Sequence, residues 1–128
     1  MNYHFSKISS SDFDSTITKV IDELKKEGFG IVTDIDMKET LKKKIDVDFK
    51  KYRILGACNP KYAYQALLVE DKVGTMLPCN VIVQEHTDGR VEVSAVDPVA
   101  SMMAIENEKL LAHANEISEK LRIVIANI

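Results

Sequence analysis

Residues 80–96 read NVIVQEHTDGRVEVSAV, two alternating runs around a Thr87-Asp88-Gly89-Arg90 corner. Asp-Gly is a favoured hairpin centre because both residues tolerate the backbone angles a tight reversal needs. At a period of two, Asn80, Ile82, Gln84 and His86 point one way on the first strand and Val81, Val83 and Glu85 the other; on the second, Val91, Val93 and Ala95 oppose Glu92, Ser94 and Val96. A hairpin with one strongly apolar side needs a cover, which sends the reading outward to the helices that can supply it.

Downstream, Asp97-Pro98 pairs a capping residue with a proline and predicts a short helix to about Ala104. The last helix, Asn107 to Ile128, carries Leu110, Ala114, Ile117, Leu121, Val124 and Ile128 on one face. Upstream, YRILGAC (52–58) predicts a strand with Tyr52, Ile54, Gly56 and Cys58 on one side and Arg53, Leu55 and Ala57 on the other; Gly56 marks a bulge or a close backbone approach. Asn59-Pro60 then reads as a helix start, Asn59 capping and Pro60 at the first helical position, with the helix running from Lys61 to about Val69. Its Tyr62, Tyr64, Ala66, Leu67 and Leu68 give more apolar surface than one core contact requires. Asp71 to Leu77 reads as a turn or loose helical turn ended by Pro78.

Nearer the N-terminus, Asn2 to Ile8 predicts a strand, and Ser11 as N-cap with Asp14 three residues on opens a helix bearing Phe13, Ile17, Val20, Ile21 and Leu24 until Gly28 stops it. FGIVTDI (29–35) predicts a strand in which Phe29, Ile31 and Ile35 share one side. Asp36 with Glu39 resembles a capping box for a short surface helix in which Lys42, Lys43 and Lys44 read as a solvated face. The order is strand, helix, strand, short helix, strand, short helix, hairpin, helix. It predicts an α+β fold over residues 1–128 as one domain: one five-stranded, mostly antiparallel sheet with the two long helices packed on one face. The other face is left for small helices, a ligand or a second subunit.

Composition narrows the function. The chain has 128 residues, 45% hydrophobic and 29% charged, with a formal net charge of -3. That balance supplies no basic field for nucleic acid. No apolar run reaches the length of a membrane span and the first residues do not resemble a signal peptide, so the chain reads as soluble and cytoplasmic, its two cysteines as thiols. Fingerprints of hydrolases, kinases, zinc proteases and dinucleotide enzymes are missing, and no cofactor is implied.

Cys58-Asn59 and Cys79-Asn80 are the positions where chemistry concentrates. If the strands pair as supposed, the two thiols come near each other beside the start of a helix, whose positive end lowers a thiol pKa. That makes Cys58 and Cys79 candidate nucleophiles or redox groups; two small buried hydrophobes are the plainer reading. A groove formed by Asn59, Tyr62, Met76, Cys79, Asn80 and Gln84 is the candidate ligand site, asparagines orienting a molecule among apolar neighbours. His4 and His86 lack the spacing of a metal site, so none is expected; His113 reads as a flank residue, and Asp34/Asp36 and Asp46/Asp48 as turn carboxylates.

The run KYRILGACNPKYAYQALLVEDKVGTMLPCNVIVQEHTDGRVEVSAVDP resembles the central signature of domain-of-unknown-function family 302, and the resemblance extends over nearly the whole chain. It rests on GACNP followed by LPCNV at this separation, together with Gly74, Leu77, Pro78 and Asp97-Pro98. It implies a TATA-binding-protein-like fold of strand, helix, four strands and helix, and pairing as a homodimer, and confers no catalytic role. The resulting expectation is a homodimeric module that binds a small molecule or a partner; the alternative is a thiol-dependent redox enzyme or sensor using Cys58 or Cys79.

Overall fold

The computed structural model describes residues 2–128, ordered as β1 (His4–Ser9), α1 (Phe13–Lys26), β2 (Gly30–Asp36), α2 (Met37–Ile45), β3 (Tyr52–Cys58), α3 (Pro60–Val69), a 3-10 turn (Asp71–Met76), β4 (Cys79–Glu85), β5 (Val91–Val96), α4 (Pro98–Ser101) and α5 (Glu108–Ala126). The five strands form one sheet in the order β1-β5-β4-β3-β2, every neighbouring pair antiparallel. β1 and β2 occupy opposite edges, so α1 must cross behind the sheet to join them. α5 lies beside it on the same face, and this is the α+β layout anticipated from the sequence.

The main core is the seam between that face and the two helices. Val20 and Leu24 of α1, Leu55 of β3, Val81 and Val83 of β4, Val93 and Ala95 of β5, and Leu121 and Val124 of α5 have no solvent-accessible surface. Burying each larger aliphatic side chain stabilises the fold by roughly 1.5–3 kcal/mol, so this seam dominates stability. A smaller cluster, Ala66, Val73, Met102, Leu110 and Ala114, joins α3, the 3-10 turn, the α4 end and the first turns of α5. Asn107 ties it together: its carboxamide oxygen caps α5 by accepting from the N–H groups of Lys109 and Leu110, while its amide nitrogen donates to the Val69 carbonyl at 2.9 Å.

Four local expectations are corrected. Asp12, one residue later than expected, is the N-cap of α1, accepting from Ser15 N–H at 2.7 Å; the Ser11 N–H instead donates to the Ser9 hydroxyl. The hairpin centre is a three-residue loop, Thr87-Asp88-Gly89, closed by His86 N–H on the Arg90 carbonyl, with Gly89 at φ 88° completing the reversal. β2 is irregular between Ile31 and Thr33, and the extra residue, Val32, switches the alternation. Ile31 therefore packs against the main core while Ile35 points to the opposite face, 43% exposed. Asn59 opens α3 without a side-chain cap bond. α2 buries none of its side chains, and among the described residues no helix is long and apolar enough to cross a membrane.

Direct pairing places Ser6, Ser94, Ile82, Ile54 and Ile35 in one row across all five strands on the helix-free face. Flanking rows hold Ile8, Glu92, Gln84 and Tyr52 on one side, and Gly56 with Thr33 on the other. Gly56 is the close approach anticipated from sequence. A Cβ there would collide with Thr33 Oγ1 and lie 2.7 Å from Pro78 Cγ, so the missing side chain lets Thr33 and Pro78 close over the strand.

Candidate functional site

A cavity of about 260 Å³ lies where the main core and the smaller cluster fail to meet. β3 and β4 supply its floor through Ala57, Cys58 and Cys79; α3 supplies Asn59, Tyr62, Ala63 and Ala66; α5 supplies Leu110, His113, Ala114 and Ile117. Leu77, Pro78, Pro98 and Met102 close one end, and Phe29 and Val32 of the β2 side complete the wall. Val32, displaced outward by the irregularity in β2, is 60% exposed and leaves the cavity open to solvent on that side.

The two ends of β3 and β4 bring the cysteines to this one wall, and both are free thiols. Burial pushes the Cys79 thiol up to about 11, and the neighbouring Cys58 adds to the shift. At neutral pH Cys79 is therefore a thiol, the reverse of what a nucleophile needs. Asn59 acts as a brace: its amide nitrogen donates to the Glu27 carbonyl at 3.3 Å, locking the start of α3 onto the turn between α1 and β2. That turn needs Gly28, whose φ is 89° and whose Cβ, if present, would sit 2.9 Å from Asn59 Nδ2. Tyr62 lies on the rim, with Lys120 Nζ 5.8 Å from its ring centroid and Glu116 raising its hydroxyl pKa.

None of the residues lining the cavity is Asp, Glu, Lys or Arg. The uncapped start of α3 offers a partial positive charge, worth about 0.3–1 kcal/mol to a nearby anion. Removing a carboxylate from water without a paired cation costs several kcal/mol, so the helix end cannot hold one there by itself. Two amide or imidazole groups, Asn59 and His113, are the polar handles on an otherwise apolar surface.

Of the sequence-derived ligand set, Asn59, Tyr62 and Cys79 line the cavity. Asn80 and Gln84 do not: alternate residues of β4 face opposite sides, and these two lie on the helix-free face beside Ser94, Tyr52 and Glu92. Met76 ends the 3-10 turn with its side chain 39% exposed, outside the cavity wall. Five of the six groove residues thus divide between two surfaces, and Met76 lies on neither. His113, read from the sequence as a flank residue, lines the cavity together with Leu110, Ala114 and Ile117, which recur with it at three, four and seven residues along one stripe of α5.

The remaining candidates have structural partners. His4 bonds Ser6 Oγ at 2.7 Å and His86 bonds Glu92 at 2.9 Å, at opposite ends of β5. Asp34 receives the Arg53 guanidinium, Asp36 caps α2 by accepting from Glu39 N–H, and Lys42 bridges Asp46 and Asp48. Among the described residues no three His, Cys, Asp or Glu side chains converge as a metal site.

The crystal structure of an uncharacterized conserved protein DUF302 from Bacillus stearothermophilus is similar at a TM-score of 0.92 and 26% identity, covering 99% of this chain and 98% of that one. No curated protein matches the sequence. The model of the family described as Domain of unknown function DUF302 matches residues 5–128, and the chain belongs to that family.

Proposed function

We propose that this domain is a homodimeric module that holds a small molecule in the cavity between α3, α5 and the ends of β3 and β4. The observation that carries the reading is the cavity itself: about 260 Å³ of apolar-walled space, with Asn59 and His113 as polar groups able to orient an occupant. A recess of this size open on one side exposes apolar wall to water, a cost that an apolar occupant would remove. The net charge of -3 supplies no overall basic field toward nucleic acid.

Pairing draws its support from the helix-free face. Ile35, Ile54 and Ile82 are consecutive in one cross-strand row, with Ile8 42% exposed and Tyr52 half-buried in the next. In this reading the layer is TATA-binding-protein-like and a second copy covers the row. Native mass spectrometry of protein purified without added ligand tests both parts, with a two-subunit mass carrying a bound small molecule as the expected result. A bare monomer at every micromolar concentration would remove the reading.

The thiol-enzyme alternative has one observation in its favour, that both cysteines line the same cavity. Against it, burial keeps the Cys79 thiol protonated at neutral pH. Iodoacetamide labelling followed against pH separates the two readings: a cysteine alkylated at a thiolate-like rate below pH 7 would favour the enzyme.

A further inference from the structure

We infer that the occupant of the cavity is an uncharged, largely apolar molecule of about ten non-hydrogen atoms, the size of indole, carrying one or two hydrogen-bonding groups. This rests on the ligand-binding reading above and narrows it to a chemical class. Size comes first. An enclosed apolar cavity of about 150 Å³ takes benzene, and the 260 Å³ here scales by proportion to roughly ten heavy atoms.

Charge comes second. With no Asp, Glu, Lys or Arg on the wall, an ion entering would shed water and meet only the Asn59 amide and the His113 imidazole, with no permanent counter-charge. The wall's behaviour toward its own ionisable group agrees, since burial keeps Cys79 protonated up to about pH 11 and would oppose a ligand anion in the same way. Glu116 and Lys120 stand behind Tyr62 on the rim and are of opposite sign, so they add no net field to select an anion or a cation.

Polarity comes third. The Asn59 amide nitrogen is committed to the Glu27 carbonyl, which leaves its oxygen to accept from a ligand N–H or O–H, and the His113 imidazole stands across the cavity on α5. The Cys58 and Cys79 sulfurs are soft, polarisable neighbours suited to an aromatic ring.

Isothermal titration calorimetry of the full chain, with indole as the uncharged probe and indole-3-carboxylate as its anionic counterpart, tests this. Indole should bind with the carboxylate at least tenfold weaker, and Ala63→Phe, which fills the cavity from α3, should weaken indole at least tenfold. Should Ala63→Phe fail to fold, Ala114→Leu serves the same purpose from α5. Equal or tighter binding of the carboxylate, lost on filling the cavity, would overturn the uncharged class while leaving a small-molecule site in place. Absence of binding by either probe, with no co-purified molecule in the native mass spectrum, would overturn the cavity reading and this inference with it.

Discussion

The helix-covered face of the sheet has two unlike ends. At one, α1, α5 and the middle of the sheet interlock through Val20, Leu24, Val83, Val93 and Leu121, all without exposed surface. At the other, α3, α4 and the first turns of α5 gather their own small cluster and stand off from the sheet around the cavity. Apolar residues are plentiful at both ends, so hydrophobicity alone does not separate them. Local side-chain size contributes: Ala63 and Ala66 of α3 and Ala114 of α5 leave room that the larger wall residues Phe29, Tyr62, Leu77, Met102, Leu110 and Ile117 enclose without filling. Space is left by small residues on facing elements, while Asn59 tethers the start of α3 to the α1–β2 turn and Asn107 tethers its end to α5.

Deleting volume at the tight end should have the largest effect. Leu121→Ala is expected to lose about 2–5 kcal/mol of unfolding free energy, read from urea denaturation, because its surroundings cannot collapse into the gap. The matching test at the loose end is Ala114→Leu, expected to change stability by less than about 1 kcal/mol since the added carbons enter existing space. A loss of about 1–3 kcal/mol, the ordinary penalty for overpacking, would show that the two ends are equally tight.

Next in size is the ionisation of Cys79. Its folded pKa is raised to about 11, above the roughly 8.5 of an exposed thiol, so the unfolded chain releases this proton first. The associated stability is fully present below about pH 8.5 and is lost as pH climbs to about 11, by roughly 3 kcal/mol. Urea midpoints at pH 8 and pH 10.5 should therefore separate more in the native chain than in Cys79→Ala. Identical separations would mean that the cavity wall is wetter than its geometry implies.

Gly56→Ala is expected to cost about 1–3 kcal/mol by forcing Thr33 and Pro78 off β3. Thr33→Ala should recover part of that loss in the double variant, a coupling measurable by a double-mutant cycle. Asn107→Ala, which removes the α5 cap and the Val69 bond together, should cost about 1–2 kcal/mol. Hydrogen exchange should rise in α3 and the start of α5 while Val83 and Val93 stay protected, if the loose end opens independently of the tight one.

The two faces of the sheet give the smallest expected effect on folding and a clear one on assembly. Ile82→Asp on the helix-free face should leave the thermal midpoint of dilute protein within a few degrees and halve the mass seen by light scattering. An unchanged mass would leave the isoleucine row without its proposed partner.

Period-two and period-3.6 patterns determined the strands, the long helices and the buried face, because burial against one layer writes itself into every second or every third and fourth residue. Proline, aspartate and glycine at element ends marked most boundaries for the same local reason. Tertiary structure alone decided the rest. The displaced Val32 turned Ile35 to the other face, a single-residue event invisible to an alternation that continues on both sides. The opposite parity of Cys79 and Asn80 was already legible in the alternation of β4; which of the two sides carries the cavity was not. Whether small residues on separate elements face one another across a gap depends on distances that no local pattern encodes, so the cavity, and His113 within it, emerged only when β3, α3 and α5 were assembled.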